Sequence, residues 1–227
     1  MLNDFLTCPA AFYKRHILNE AESGTSSALH FGTALHLAIN QILEGEDGLE
    51  SFMMYWDSLK DKDMIYYRHG WQELRGLATE KFLPNFIRLH SKKFSNFKQE
   101  ETLTMPFLGE HTFQGTYDFC GDYEGVLTLT DWKTTTNDYK FSKLEKNPQL
   151  YMYSKLYQHK YGVLPKQIMY KTFVKTKGSI QTLKLELTEE HLNSIVRNVE
   201  HTAKAMLHLI STKEVYHGAD CYCKGVS

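Results

Sequence analysis

Thr128-Leu129-Thr130-Asp131-Trp132-Lys133-Thr134 reads as the end of a β-strand that carries a carboxylate and an ammonium two residues apart. Side chains on a strand alternate faces, so Asp131 and Lys133 share one side while Trp132 turns to the other. That spacing sets an oxygen ligand for a cation beside a fixed positive charge. Upstream, Phe113-Gln114-Gly115-Thr116-Tyr117-Asp118 reads as a second strand. The turn-prone Gly121-Asp122-Tyr123-Glu124-Gly125 folds the two into a hairpin, on which Asp118 and Asp131 can converge. Two carboxylates with a lysine are what hydrolysis of a phosphodiester needs: ligands for a divalent ion, and a positive group to orient water and stabilise developing charge.

Outward from this hairpin the alternation persists. Period two begins near Lys98, which predicts strands at about 99–107, 111–121 and 125–134, with two more at about 166–175 and 179–187 joined at Lys177-Gly178. Between the third and fourth, Asn147-Pro148 marks the effective start of a helix reaching about Tyr161. Gln149 and Tyr153 fall at i and i+4 of that helix, on one face, where they can hydrogen-bond or stack on a nucleotide; an ordinary amphipathic helix has the same spacing. The threonines of Thr134-Thr135-Thr136 are candidate phosphate contacts and, equally, turn residues.

The N-terminal half, 1–97, reads as helical. Pro9 suits the first turn of a short helix, and Ser26 or Ser27 caps a longer one that ends at Gly45. Gly32 and His36 share a face of it; the glycine permits close backbone approach, and the histidine can reach a neighbouring site. A lone histidine on a helix is more often structural, so spacing alone does not make it a ligand. Residues 49–95 are read as helices packed through Trp and Met stripes, with Pro84 kinking or breaking the second, and a terminal helix runs over 188–212.

At 227 residues and 42% hydrophobic content the chain suits one globular domain, 1–227. No run is long enough to span a membrane and no secretory signal is evident, so an intracellular, cytoplasmic protein is expected. The four cysteines are unevenly spaced, which suits reduced thiols or a metal site better than a disulfide framework. The formal charge of -1 hides a segregation: Asp131 to Lys184 carries eleven lysines against three acidic residues, a net +8, and the remainder carries -9. A basic stripe is the footprint of phosphate binding, although a solvated lysine-rich surface gives the same count.

The ordered set Cys8-Pro9 with Phe12, Gly32-Thr33-Ala34-Leu35-His36, Gly115-Thr116-Tyr117-Asp118, Asp131-Trp132-Lys133 and Gln149-Leu150-Tyr151-Met152-Tyr153 resembles the RecB-type branch of the PD-(D/E)XK nuclease superfamily. The resemblance implies a restriction-endonuclease-like α/β fold, a central mixed sheet flanked by helices, with an N-terminal helical arch over the site, a sheet core over 98–187 and a DNA-contacting helix at about 147–161. It implies a divalent-metal-dependent DNA exonuclease that works from single-stranded ends in replication, recombination or repair. Asp118, Asp131, His36 and the main-chain carbonyl of Trp132 would hold Mg²⁺ or Mn²⁺. Lys133 would position the attacking water or stabilise the transition state, and Gln149 and Tyr153, with Thr134, Lys140 and Lys143, would contact DNA. Glu100 or Glu101 can approach the site from the neighbouring strand, and neither is assigned as a ligand.

Many members of that branch hold an iron–sulfur cluster with one early and three late cysteines. Cys8 matches the first, but the tail offers only Cys221 and Cys223. A helicase or recombination partner, if the pathway uses one, would be a separate chain in a bacterial or phage-infected cell. Two alternatives stay open: a non-catalytic interaction module of the same fold, and a structure-specific endonuclease or RNA nuclease.

Overall fold

The computed structural model describes residues 5, 8–19, 25–60, 62, 64–66 and 68–213. The chain divides into two compact units: Met1–Ser23, Pro106–His111 and Glu189–Ser227 form one, and Gly24–Met105 with Thr112–Thr188 the other. In the first, α1 (Pro9–His16) has Pro9 in its opening turn and Cys8 as its cap, the Sγ accepting from the Ala11 N–H at 3.4 Å. Phe5 and Phe12 meet edge to face and cluster with Leu209 of the long C-terminal helix. Cys8 is disulfide-bonded, contrary to the reduced state that the spacing favours; Cys221 and Cys223 lie outside the described residues.

The second unit holds the sheet. Its first element, β1 (Thr25–Ser26), pairs in parallel with β2 (Met64–Ile65). Two-residue strands are too short to show alternation in the sequence. The helix α2 (Ser27–Glu44) starts where Ser26 Oγ accepts from the Ala28 N–H and stops at Gly45, whose φ of 91° only glycine adopts without strain. Close helix approach occurs at Gly48, which opens α3 (Gly48–Asp57): a Cβ there would stand 2.2 Å from the Ala38 carbonyl oxygen. Gly32 has no such role, since its Cβ would meet nothing nearer than Thr134 Oγ1 at 3.8 Å.

Pro84 does not end the next helix. α4 (Trp71–Gly76) passes into a π-helical turn, Leu77–Phe82, and on into α5 (Leu83–Leu89). The wider turn absorbs the missing i→i−4 donor, and Pro84 falls in the first turn of α5.

The sheet is mixed and five-stranded, in the order β3 (Phe94–Pro106), β4 (Thr112–Tyr123), β5 (Val126–Thr135), β6 (Gln167–Val174), β7 (Ser179–Glu186). β4 and β5 are antiparallel, β5 and β6 parallel, and β6 and β7 antiparallel. A parallel neighbour requires a crossover, and here it is helical: α6 (Phe141–Lys146) and α7 (Pro148–Tyr161) lead from β5 to β6. This is the expected α/β architecture, with the helical N-terminal region ahead of the sheet. On one face Trp132 packs among Phe86, Phe94 and Phe119, with ring centroids 5.6–5.9 Å apart. The alternation predicted from Asp131-Trp132-Lys133 therefore holds: the tryptophan faces the aromatic core and the charges face away. The terminal helix α8 (Glu189–Thr212) belongs to the first unit.

Candidate active site

The β4–β5 ladder runs from Tyr123–Val126 to Phe119–Thr130 and goes no further. Where the next main-chain bonds would form, Asp118 Oδ2 accepts the N–H of Trp132 at 2.8 Å. The ladder stops at this point, and the Asp118 carboxylate takes the place of a main-chain partner. From α2, His36 Nε2–H donates to the Trp132 carbonyl oxygen at 2.8 Å, which turns Nδ1 towards Asp118 Oδ2 at 3.7 Å. The peptide unit of Trp132 is thus held from both sides.

Glu100 completes the cluster, although the sequence reading leaves it out. Ligand atoms of His36, Glu100 and Asp118 all lie within 4.8 Å of one another, a set that suits a divalent cation. Glu100 arrives there because β3 is irregular: its φ of 48° is left-handed, and strict alternation cannot foresee where such a residue points. Asn40 Nδ2 then donates to its carboxylate at 3.2 Å. Glu101 goes elsewhere, accepting from the hydroxyls of Tyr117 and Tyr161.

Asp131, 1% exposed, is tied to the lysine. Lys133 Nζ donates to Oδ1 at 2.9 Å and lies 2.7 Å from Oδ2, which accepts no hydrogen bond of its own. Both oxygens of this buried carboxylate thus lie within ion-pair distance of the ammonium, which balances their charge. On the far side of the ammonium, Gln149 Oε1 stands at 3.5 Å, and Gln149 Nε2 donates to Tyr153 Oη at 3.0 Å. Asn147 caps α7 by accepting from the Gln149 N–H, so the first turn aims the glutamine at Lys133. Gly115 admits the tyrosine: a Cβ there would lie 2.6 Å from Tyr153 Cε1.

The protonation states follow from burial. Burial pushes the Asp131 carboxyl up to about 7, helped by the Asp118 charge and opposed by Lys133. Asp118 rises to about 6 by burial, held back by the Trp132 N–H and Lys133. An ion pair at this distance favours the ionised carboxylate, so the rise at Asp131 belongs to desolvation and its acidic neighbour. Burial lowers His36. Burial also works against the Lys133 ammonium, but the Asp131 and Asp118 carboxylates outweigh it and its pKa is raised. Lys133 therefore remains a cation, suited to charge stabilisation.

The remaining sequence candidates are placed as follows. Thr134 is half-buried near Gly32, and Lys140 and Lys143 are exposed around α6, Lys143 Nζ lying 4.4 Å over the Tyr139 ring. The basic stripe is less exposed than its count implies. Lys171 is fully buried, Lys177 is paired with Asp138 and Lys184 with Glu124.

Comparison with known proteins bears on this arrangement. No curated protein matches the chain. Among solved structures, a candidate exonuclease from Eubacterium rectale is similar at a TM-score of 0.62 and 14% identity, over 96% of this chain and 79% of that one, a likeness of fold. The protein SSO0001 matches at a TM-score of 0.36 and 13% identity, over 86% of this chain and 81% of that one. The model of the PD-(D/E)XK nuclease superfamily matches residues 1–225. The end of the ladder at Asp118, the cluster of His36, Glu100 and Asp118, and the Asp131–Lys133 pair agree with that match, and the chain belongs to the PD-(D/E)XK nuclease superfamily.

Proposed function

We propose that the chain is a divalent-metal-dependent DNA exonuclease of the RecB-type branch, a single nuclease domain hydrolysing phosphodiester bonds from single-stranded ends. The observation that carries the reading is the convergence of His36, Glu100 and Asp118 beside the buried Asp131–Lys133 pair. His36 Nδ1, Glu100, Asp118 and Asp131, with the main-chain carbonyl of Trp132, would hold Mg²⁺ or Mn²⁺. Such an ion supplies positive charge against the phosphate oxygens and acidifies water.

The chain's own groups do the rest. Lys133, a cation fixed between Asp131 and Gln149, sets its charge where the phosphorane develops and orients the attacking water. Gln149 and Tyr153 hold Lys133 in place and present polar atoms to the strand. The cytoplasm, with replication, recombination or repair as the setting, and any helicase as a separate chain, follow from the branch.

The test is degradation of end-labelled linear single-stranded DNA, linear duplex, closed circular DNA and RNA with Mg²⁺ or Mn²⁺, comparing the wild type with Lys133→Ala and with EDTA. Metal-dependent loss of linear DNA alone, abolished by the substitution, is the expected result. Cleavage of circles or of RNA transfers the reading to an endonuclease or a ribonuclease. Binding without any cleavage by folded protein sinks the enzyme and leaves an interaction module.

A further inference from the structure

The crossover between Lys133 and Gln149 has features that the catalytic cluster does not use. Phe141 opens α6 with 46% of its surface exposed, although Leu144 alone anchors that helix in the core. Its neighbours along the chain are the exposed Lys140, Lys143 and Lys146, none of them ion-paired among the described residues, and one exposed carboxylate, Glu145; Lys143 Nζ lies over the Tyr139 ring, and Asp138 is occupied by Lys177. An exposed aromatic ring on a segment that carries three exposed lysines and one exposed glutamate, a net positive charge, matches a polyanion with flat apolar faces.

The segment is rigid where it leaves the sheet. Gln181 clamps Tyr139 at both main-chain atoms, Oε1 accepting from its N–H at 2.9 Å and Nε2 donating to its carbonyl at 3.0 Å. The Tyr139 ring meets Tyr170 edge to face at 5.9 Å, and Tyr170 is the register partner of Asp131. Phe141 follows two residues later, within about 7 Å of extended chain. Phe141 is thus carried on a segment anchored to β6 and β7, at little further cost in ordering.

The geometry points to Phe141 as a base-stacking contact for single-stranded DNA, with Lys140 and Lys143 on the flanking phosphates of the strand whose scissile bond lies at the His36–Asp118–Lys133 site. The assignment rests on the nuclease reading and names its substrate class. In a duplex each base face is already covered by its neighbours, so an exposed ring gains nothing there, while the lysines meet phosphates in either form.

The experiment is fluorescence anisotropy of the full chain in EDTA, so that no strand is cut, with a labelled single-stranded oligonucleotide, its duplex, and versions carrying one abasic site at successive positions. Phe141→Ala is expected to weaken single-strand binding about tenfold or more and to leave the duplex within about twofold, with Phe141→Trp restoring the wild-type value. One abasic position should cost the wild type the same factor and cost Phe141→Ala nothing further. Single-strand binding unchanged in Phe141→Ala, equal losses for both DNA forms, or no DNA binding by the wild type each overturn the assignment. Circular dichroism confirms that the variants are folded. Cleavage is scored separately: stacking without cleavage defeats the nuclease reading alone, and cleavage without the abasic coupling defeats the Phe141 contact alone.

Discussion

Replacing Gly115 by alanine tests how α7 is seated against the sheet. Gly115 has an ordinary extended backbone, so alanine brings no conformational strain and the effect is steric. The new Cβ would lie 2.6 Å from Tyr153 Cε1, 3.0 Å from Cδ1 and 3.1 Å from Leu156 Cδ1. Carbon atoms pack at about 3.5–4.0 Å, so the ring must retreat by about 1 Å. Its hydroxyl, now 3.0 Å from Gln149 Nε2, then passes out of hydrogen-bonding range, and the support of Lys133 loosens. Overpacking costs about 1–3 kcal/mol and the lost bond about 1 kcal/mol. Together they lower Tm by roughly 5–15 °C at about 2–4 °C per kcal/mol for a chain of this size. The assay is a thermal melt paired with single-turnover cleavage of a single-stranded oligonucleotide. In the Tyr153→Ala background, where only the Leu156 Cδ1 contact at 3.1 Å remains, Gly115→Ala should cost much less. Wild-type melting and cleavage in the single variant, or an undiminished penalty in the double, would refute the reasoning.

Three further outcomes are expected. Glu100→Gln should weaken Mn²⁺ binding at least about tenfold by calorimetry, while Glu101→Gln leaves it unchanged; indistinguishable variants would remove Glu100 from the ligand set. Asp118 and Asp131 are held up at about 6 and about 7, so their protonated forms favour the fold at low pH, and that contribution is lost as pH rises through both values. A divalent ion must displace those protons, so the rise in Tm that Mn²⁺ confers should be small at pH 5 and reach a plateau near pH 8; an equal shift at both would contradict the assigned states. Lys171 donates to His90 Nδ1, Tyr123 Oη and Thr182 Oγ1, and burial lowers its pKa to about 7. A lysine below its unfolded value favours the fold only when neutral, so stability should climb from pH 7 towards about 10. Lys171→Met should abolish that climb in pH-dependent denaturation; a variant that keeps it places the titration elsewhere.

The elements most legible in the sequence are those whose signal is local. Period two gave β4, β5, β6 and β7 to within a few residues, and Ser26 with Gly45 bounded α2, because caps and alternation depend on neighbours in the chain. Asp118, Asp131, Lys133, Gln149 and Tyr153 come together as their strand and helix positions imply. Glu100 was hidden because its direction depends on one left-handed residue inside a strand, and nothing in Gln99-Glu100-Glu101 marks which glutamate turns. The π turn before Pro84 was hidden for a related reason: a proline reads as a break unless the preceding turn widens. Charge counting could not separate the lysines, since Lys171 is dry and Lys140 wet while the sequence scores both alike.

The peptide of Trp132 gives its N–H to Asp118 and its carbonyl to His36, while its indole sits against Phe86, Phe94 and Phe119. One residue therefore spans the hydrophobic interior and the candidate active site, with no flexible joint between them. Substitutions that merely repack those rings are expected to shift a peptide unit that holds both His36 and Asp118. Evolution of the interior is accordingly restricted beyond what folding demands, and heat-sensitive activity should arise from apolar positions that touch no substrate.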